Sequence, residues 1–324
     1  MHTIQELQNI IDKAVKETEY PKEPKELYEP IAYLMALGGK RLRPALVLMA
    51  TDLFGGNIQE ALAPALAVEL FHNFTLMHDD IMDKAPLRRG QPTVHAKWNE
   101  SVAILSGDVM FVKAYKMMIQ VKPEILTDVL EVFNATAIGV CEGQQIDMNF
   151  ENRNEVTIEE YIEMIRLKTA VLVGGALKIG ALIGSADKKN ADLLYQFGEN
   201  LGIAFQLQDD YLDAFGDPET FGKQVGGDII ENKKTYLYLK AVEFAAPQER
   251  EKLLYLFSNH PDDSTNKIQE VKEIFNTTGA SKATQQAIQD YTLKAFETLQ
   301  KINIDNEKKD KLQSFGENLM GRKV

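Results

Sequence analysis

The chain is poor in several residues and patterns that mark other classes of protein. It has one cysteine, Cys141, so no disulfide can form within it, which fits a reducing compartment such as the cytoplasm. Charged or polar side chains interrupt every largely apolar stretch of about 20 residues, so we expect no membrane span. The first 20 residues are polar and amphipathic, and we therefore expect no signal peptide.

Basic residues are also in the minority. The chain carries 36 lysines and arginines against 48 aspartates and glutamates, for a formal net charge of −12. A nucleic-acid-binding protein needs a basic surface, so that class is not expected. The sequence also lacks the alternation of apolar and polar residues, bounded by turn residues, that indicates paired strands.

Apolar residues recur at helical spacing through nearly the whole chain. Thr157 and Glu160 form a T-x-x-E capping box, which predicts a helix from about Ile158. No low-complexity segment divides the sequence, so we predict one all-α domain, a helical bundle, over residues 1–324. The longest candidate functional loop is 216–234. The other predicted helices span residues 4–15, 27–37, 45–53, 58–83, 102–120, 125–150, 191–213, 236–243, 247–258, 268–277, 280–301 and 309–319.

Two acidic clusters of the same form are the most informative motifs. D-D-I-M-D occupies residues 79–83 and D-D-Y-L-D residues 209–213, each at the end of an apolar helix. Aspartates four residues apart share one helical face, and carboxylates that continue a buried helix are costly unless they are paired or bind metal. A solvated helix end would explain one cluster alone. Two such faces turned toward each other predict a site for Mg²⁺, which usually completes its ligands with substrate phosphate.

Basic islands accompany these clusters. G-G-K-R-L-R-P at residues 38–44 predicts a turn with cationic side chains and glycine amides, and Arg88 and Arg89 follow the first cluster. Lys168 and Thr169 interrupt an apolar helix, and His72 lies about two turns before the first cluster. Each alone is compatible with an ordinary surface or core role. Together they indicate the binding of phosphate groups.

The full set of motifs resembles the trans-isoprenyl diphosphate synthases, also called polyprenyl synthetases. In order between residues 38 and 235, the motifs are G-G-K-R-L-R-P, H-D-D-I-M-D with L-R-R-G-Q-P-T-V-H, G-Q-Q-I-D, L-K-T, F-Q-L-Q-D-D-Y-L-D and F-G-K-Q-V-G-G-D-I. The resemblance implies a helical bundle of the isoprenoid synthase type with a central active-site cavity. It also implies a homodimer that uses Mg²⁺ to join isopentenyl diphosphate head-to-tail to allylic diphosphates.

The resemblance also implies roles for individual residues, five of which are expected to carry catalysis: Asp79, Asp83, Arg88, Lys168 and Asp209. The implied metal ligands are Asp79, Asp83 and Asp209, with Asp80, Asp210 and Asp213 in support. The implied isopentenyl diphosphate site consists of Gly39, Lys40, Arg43, His72 and Arg89. The implied allylic diphosphate site consists of Arg88, Lys168, Thr169, Gln206, Lys223 and Lys233.

Product length depends on side chains along the helix before the first cluster. Phe74 lies five residues before Asp79, about 7.5 Å along the helix axis, and is expected to form the floor of the product cavity with Thr75 and Phe71. One aromatic residue at this place resembles short-chain synthases with twenty-carbon products, and fifteen carbons is the next choice. A medium- or long-chain polyprenyl diphosphate synthase and a class I terpene cyclase are the alternatives. A cyclase would have no use for a second diphosphate site.

Overall fold

Helices account for nearly all the regular structure in the computed structural model, which confirms the all-α prediction. The structure describes residues 2–217, 225–259, 261 and 263–321. One turn of π-helix, Arg166–Ala170, lies between two of the α-helices. The α-helices are α1 (Ile4–Glu17), α2 (Lys25–Ala36), α3 (Leu42–Leu53), α4 (Leu62–Met82), α5 (Val94–Lys97), α6 (Glu100–Met118), α7 (Pro123–Glu151), α8 (Ile158–Ile165), α9 (Val171–Ile183), α10 (Lys188–Phe215), α11 (Gly227–Ile230), α12 (Tyr236–Phe244), α13 (Pro247–Leu256), α14 (Thr265–Thr277), α15 (Ala280–Gln300) and α16 (Asn306–Met320).

Capping residues set several helix starts. The predicted capping box before α8 is present: the Thr157 hydroxyl accepts the backbone N–H of Glu160, and the Glu160 carboxylate accepts the backbone N–H of Thr157. The same arrangement starts α1 through Thr3 and Glu6. These bonds satisfy backbone N–H groups that have no partner inside a helix.

Two short features differ from the prediction that strands are absent. Leu87–Arg88 (β1) and Gln91–Pro92 (β2) form a two-stranded antiparallel ribbon. Strands of two residues are too short to show an apolar alternation, so the sequence pattern does not predict them.

The start of α4 also differs from the prediction. α4 begins at Leu62 rather than at residue 58, because the Asn57 side chain accepts the backbone N–H of Gln59 at 3.0 Å and favours a turn there.

The residues group into two compact units. Unit 1 comprises Met1–Asn134 and Gly175–Asp192, and unit 2 comprises Ala135–Gly174 and Leu193–Val324. The organisation of the whole chain as one domain stays a prediction.

Each unit has its own apolar core. In unit 1, α4 packs against α3 and α6, and its residues Val68 and Phe71 are fully buried. In unit 2, buried residues that include Tyr161, Leu253 and Phe275 form one cluster. None of the helices in the described ranges is both long enough and apolar enough to cross a bilayer.

Candidate active site

The first acidic cluster lies at the C-terminal end of α4, in unit 1. Asp83 caps this helix by donating its backbone N–H to the Asp79 carbonyl at 2.8 Å. Asp79 is partly exposed and Asp83 is exposed, whereas Asp80 is buried. The spacing of four residues therefore leaves two carboxylates accessible on the last turn of the helix.

Asp80 holds an arginine. Its two carboxylate oxygens accept hydrogen bonds from Nε and Nη2 of Arg88, both at 2.8 Å. Arg88 lies on β1, and the chain reverses after it through Arg89 and Gly90, which both have positive φ. A bidentate, charge-assisted pair fixes the orientation of a guanidinium group. The Arg88 side chain remains 23% exposed and so stays accessible to an anion.

The glycine-rich basic loop lies in the same unit. Gly38 and Gly39 have φ of 80° and 141°, conformations that suit glycine. Arg89 donates from Nη1 to the Gly38 carbonyl, and a Cβ on Gly39 would lie 2.9 Å from Arg89 Nη2. Nη1 of Arg43 lies 3.2 Å from Nε2 of His72. The fold thus gathers the residues predicted for the isopentenyl diphosphate site.

The cations of unit 1 are close enough to perturb one another. Burial, followed by the charges of Arg43, Arg88 and Arg89, lowers the pKa of His72 well below its usual value, so this imidazole stays neutral. Burial and the charges of Arg41 and Arg88 also lower the pKa of Arg89. Positive side chains that lie close together repel one another, and a bound anion stabilises them by reducing this repulsion. This part of unit 1 is therefore suited to a diphosphate.

The second acidic cluster lies on α10, in unit 2. Its central carboxylate, Asp210, is buried and accepts hydrogen bonds from the Tyr161 hydroxyl and from Nε2 of Gln206, the latter at 2.9 Å. Oε1 of Gln206 in turn accepts from the Thr169 hydroxyl at 3.0 Å. This chain of hydrogen bonds places Gln206 and Thr169, both predicted for the allylic site, next to each other.

Carboxylates crowd this end of α10. Asp209 and Asp213 are partly exposed, and Asp213 Oδ1 accepts the backbone N–H of Asp228 at 2.8 Å. Burial and the charge of Asp228 raise the pKa of Asp210 to about 8, and burial and the charge of Asp213 raise the pKa of Asp228 to about 6. A divalent cation at this place would relieve the repulsion.

The chemistry of these donors suits Mg²⁺. Among the residues that the structure describes, no group of three or more His, Cys, Asp or Glu side chains could hold a metal ion by itself. Mg²⁺ is usually bound by one or two carboxylates and takes its other ligands from water and substrate phosphate. Asp79, Asp83 and Asp209, which are all at least partly exposed, fit this mode of binding.

Lys168 lies in the π-helical turn Arg166–Ala170. Its Nζ pairs with Oδ2 of Asp147 on α7 at 2.5 Å. Gly143, one turn earlier on α7, lies so close that a Cβ there would be 2.3 Å from the Lys168 backbone nitrogen. π-helical turns occur frequently at functional sites because they redirect side chains and backbone groups.

Lys233 follows α11 in unit 2. Its Nζ lies 2.7 Å from Glu231 and 3.5 Å from Asp228. Although burial opposes it, the charges of Asp228 and Glu231 raise the pKa of Lys233, so its side chain is charged. Lys223, predicted for the same diphosphate, lies outside the described residues.

The predicted floor residues belong to a layer of aromatic rings in unit 1. The Phe74 ring stacks on Phe111 of α6 with centroids 5.0 Å apart and an interplanar angle of 9°. Phe71 lies 5.7 Å from both rings and is fully buried. The His78 ring also contacts Phe74, with centroids 4.8 Å apart. The Thr75 hydroxyl donates to the His72 carbonyl at 2.9 Å.

Residues 24–277 match the sequence profile of the family described as polyprenyl synthetase. The chain belongs to the polyprenyl synthetase family. Its fold superposes on a crystal structure of a geranylgeranyl pyrophosphate synthase with a TM-score of 0.94, at 48% identity and over 100% of both chains. A geranylgeranyl diphosphate synthase of Methanosarcina mazei is 45% identical over 72% of each chain. A short chain isoprenyl diphosphate synthase of Methanothermobacter thermautotrophicus is 38% identical over 93% of this chain and 92% of its own.

The family and the fold that the motifs implied are thereby confirmed. This polyprenyl synthetase is a prenyltransferase of the short-chain isoprenyl diphosphate synthase group, with the helical isoprenoid synthase fold. The roles assigned to individual residues stay predictions.

The structure also brings in residues that sequence reasoning left without a role. Asp147 and Asp228 are the last acidic residues of two quoted motifs, G-Q-Q-I-D and F-G-K-Q-V-G-G-D-I, so a signal for them was present. Phe111 lies on a different helix from Phe74 and has no motif around it. Arg41 was quoted only as part of the basic loop, and nothing near Glu69 marks it as the partner.

Proposed function

We propose that this polyprenyl synthetase condenses isopentenyl diphosphate with allylic diphosphates, in the presence of Mg²⁺, to a twenty-carbon trans-prenyl diphosphate. The observation that carries the proposal is the composition of unit 1. There, the accessible carboxylates Asp79 and Asp83 lie on either side of Asp80, which binds Arg88, and the cations Arg43, Arg88 and Arg89 surround a neutral His72. A divalent cation would bind the carboxylates, and an anion of high charge would bind the arginines.

The reaction begins when the C–O bond of the allylic diphosphate breaks, which leaves negative charge on diphosphate and positive charge on carbon. We assign Asp79, Asp83 and Asp209 as ligands of Mg²⁺, which when bound neutralises charge on the departing diphosphate. The Arg88 side chain is held by Asp80 and the Lys168 side chain by Asp147, and we assign both residues to the binding of this diphosphate. Lys233 and Lys223 are assigned to it as well.

The carbocation is next attacked by the double bond of isopentenyl diphosphate, so a C–C bond forms and a proton is then lost. Oxygen dipoles of Gln206 and Thr169, which are hydrogen-bonded to each other, are suited to stabilise positive carbon in a site that excludes water. Gly39, Lys40, Arg43, His72 and Arg89 hold the diphosphate of the attacking substrate. The departed diphosphate is the proposed acceptor of the proton.

Product length is assigned to the aromatic layer of unit 1. Phe74 is the proposed floor, because its ring contacts both Phe111 and His78 and so resists displacement by a growing chain. The buried Phe71 and the neighbouring Thr75 support it. The similarity to geranylgeranyl diphosphate synthases favours twenty carbons over fifteen.

We further propose a cytoplasmic homodimer. Leu105, Val112 and Ile119 recur every seven residues along and just beyond α6, and their exposed fractions are 58%, 67% and 51%. Apolar residues at this spacing form one stripe on a helix, and a second copy of the chain would bury it. Cys141 is the one cysteine of the sequence, so no disulfide can form within the chain, which fits a reducing compartment.

The experiment incubates the purified chain with Mg²⁺, isopentenyl diphosphate and each of three primers: dimethylallyl, geranyl and farnesyl diphosphate. We expect mass spectrometry to find mainly geranylgeranyl diphosphate, and chelation with EDTA to abolish turnover. Asp79→Ala and Asp209→Ala are expected to lower kcat by at least about 1,000-fold. Glu159→Ala, a substitution of an exposed acidic residue on α8, is the matched control and should leave kcat unchanged.

Two results would contradict the proposal. Consumption of an allylic diphosphate to a hydrocarbon without isopentenyl diphosphate would indicate a terpene cyclase. Full turnover in EDTA, or in Asp79→Ala, would remove the assigned role of the carboxylates.

A further inference from the structure

One cation of the motif G-G-K-R-L-R-P is turned away from the site. Arg41 is 5% exposed, whereas Lys40 before it is exposed and Arg43 after it is partly exposed. Its Nη2 donates to the Met35 carbonyl at 2.6 Å, and its Nη1 donates to the carboxylate of Glu69. Arg41 therefore serves the structure of the loop, while its neighbours keep their side chains at the surface.

Glu69 is the buried counter-charge of this arginine. It lies on α4, 4% exposed and one turn before His72 and Asn73. The Asn73 amide adds a hydrogen bond to the same Glu69 oxygen at 3.1 Å. Because a buried charge is costly without a partner, Arg41 and Glu69 hold each other in place. The loop is thereby tied to α4 beside the histidine of the predicted diphosphate site.

The backbone of the loop depends on this contact. Arg41 has φ 46° and ψ 32°, in the left-handed region that non-glycine residues rarely adopt. Such a conformation persists only where the surroundings fix it. Release of the Arg41 side chain would let the backbone relax, and the amides and side chains from Gly39 to Arg43 would change direction.

α1 braces the loop from a second direction. Nε2 of Gln8 donates to the Lys40 carbonyl at 2.5 Å, and Oδ1 of Asp12 accepts from Arg41 Nε at 3.3 Å. Both α1 residues lie at the surface of the helix, with the Asp12 side chain 45% exposed. No residue of α1 belongs to the predicted site, so these contacts give the helix an indirect part in it.

We propose that Arg41 is a positioning residue, which through Glu69 and α1 holds the loop in the conformation that binds isopentenyl diphosphate. The inference rests on the proposed function and extends it to residues that do not touch substrate. It predicts that the loss of this contact raises the KM for isopentenyl diphosphate and leaves the KM for the allylic substrate nearly unchanged.

The test compares Arg41→Met, Glu69→Met and the double variant that carries both changes. Arg41→Met leaves the buried Glu69 carboxylate without its arginine, and Glu69→Met leaves the buried Arg41 guanidinium with only the half-exposed Asp12 as counter-charge. The thermal unfolding temperature of each single variant should therefore fall, and its KM for isopentenyl diphosphate should rise. An apolar pair often replaces a buried ion pair without loss of stability, so the double variant should regain its unfolding temperature. Its KM for isopentenyl diphosphate should nevertheless stay about tenfold above that of the wild type.

The double variant separates positioning from stability. A double variant that regains both its unfolding temperature and the wild-type KM would overturn the proposal, because the pair would then only stabilise the fold. Lys178→Met is the control: it breaks an ion pair with Asp192 in the same unit, at 2.5 Å, in which no residue of the loop takes part. It should lower the unfolding temperature without a change in either KM.

Two surface variants decide the question if the double variant fails to fold. Asp12→Ala and Gln8→Leu remove the contacts from α1 and leave the buried pair intact. Each should raise the KM for isopentenyl diphosphate about threefold, and an unchanged KM in both would overturn the proposal. The isopentenyl diphosphate-dependent turnover of the wild type is measured first. A failure of the proposed function is then visible in the wild type, and a failure of this inference only among the variants.

Discussion

At the scale of single residues, the aspartates of the two clusters differ in how far they are buried. Asp80 and Asp210 are buried, and each is held by hydrogen-bond donors of its own unit. Asp79, Asp83 and Asp209 keep some exposure. A buried carboxylate with fixed protein donors is poorly placed to take a metal ion, whereas an accessible one can be reached by an ion that keeps several of its waters. The same residue type therefore orients cations at one position and offers ligands at the next.

His72 should control part of the acid sensitivity of the fold. Its folded-state pKa is depressed by burial and nearby arginines, so the unfolded state binds more protons below the ordinary pKa of about 6.5. Stability is therefore complete above this pH and is lost as the pH falls, by at most about 1.4 kcal/mol per pH unit. We expect His72→Gln to lose less of its free energy of unfolding than wild type between pH 7 and pH 5. Urea unfolding at both pH values measures the difference, and equal losses in the two proteins would refute the assignment.

Phe74 should set product length. Phe74→Ala removes the ring that contacts Phe111 and His78, and we expect the main product to lengthen by at least one five-carbon unit. Phe111→Ala should lengthen it too, because the stacked ring would lose its support. Mass analysis of the products measures the shift. Phe257→Ala, which removes a partly buried ring that contacts Tyr238 in unit 2, is the control and should leave product length unchanged. A wild-type product distribution in Phe74→Ala would disprove the floor assignment.

At the scale of elements, the π-helical turn and α7 depend on each other within unit 2. Gly143 permits α7 to approach the backbone of Lys168, and Asp147, one turn further along α7, pairs with the Lys168 side chain. The turn Arg166–Ala170 thus has its backbone and one side chain held by a single neighbouring helix. Because backbone atoms cannot move aside as a flexible side chain does, this contact leaves no room for a larger residue.

Two glycines of α7 offer a matched pair of substitutions. Gly143→Ala would place a methyl group 2.3 Å from a backbone nitrogen, so we expect displacement of Lys168 and a fall in kcat of at least about tenfold. Gly139 lies one turn earlier, and a Cβ there meets its nearest atom at 3.4 Å. Gly139→Ala should therefore keep kcat and raise helix stability slightly, since alanine favours helix by about 1 kcal/mol over glycine. Steady-state kinetics and thermal unfolding measure both. Equal kcat in the two variants would show that the close contact is unimportant.

At the scale of the whole molecule, charge is distributed unevenly. The chain has a net charge of −12, yet in unit 1 burial, followed by the charges of neighbouring arginines, lowers the pKa of Arg89. In unit 2, burial, followed by the charge of Asp213, raises the pKa of Asp228 to about 6. Each imbalance costs stability in the absence of ligand and is relieved by ions of opposite sign, which is what a diphosphate with its metal ions supplies.

The apolar stripe on α6 predicts how copies of the chain associate. Val112→Lys places a charge at its most exposed residue, and we expect the mass measured by light scattering to fall from that of a dimer to that of a monomer. Leu254→Lys, which changes an apolar residue 44% exposed on α13, is the control and should remain dimeric. A dimeric Val112→Lys would place the interface elsewhere.

Local sequence patterns predicted most of the helices and the motif residues that gather in each unit. Apolar periodicity and capping residues act within one or two helical turns, so α8 could be placed from Thr157 and Glu160 alone. Helix ends were predicted less well where a side chain bonds a backbone N–H in place of the helix, as Asn57 does with Gln59. The ribbon after α4 escaped prediction because two-residue strands carry no period.

The sequence by itself determined the helical class, the family and the order of the acidic and basic motifs, because these depend on residue type and spacing along one chain. Only the tertiary structure decided which member of each motif faces inward. Arg41 meets Glu69, Phe74 meets Phe111, and Asp147 meets Lys168 across 28, 37 and 21 positions of sequence. Such contacts arise from the packing of separate helices, whose relative rotation and approach no local period specifies.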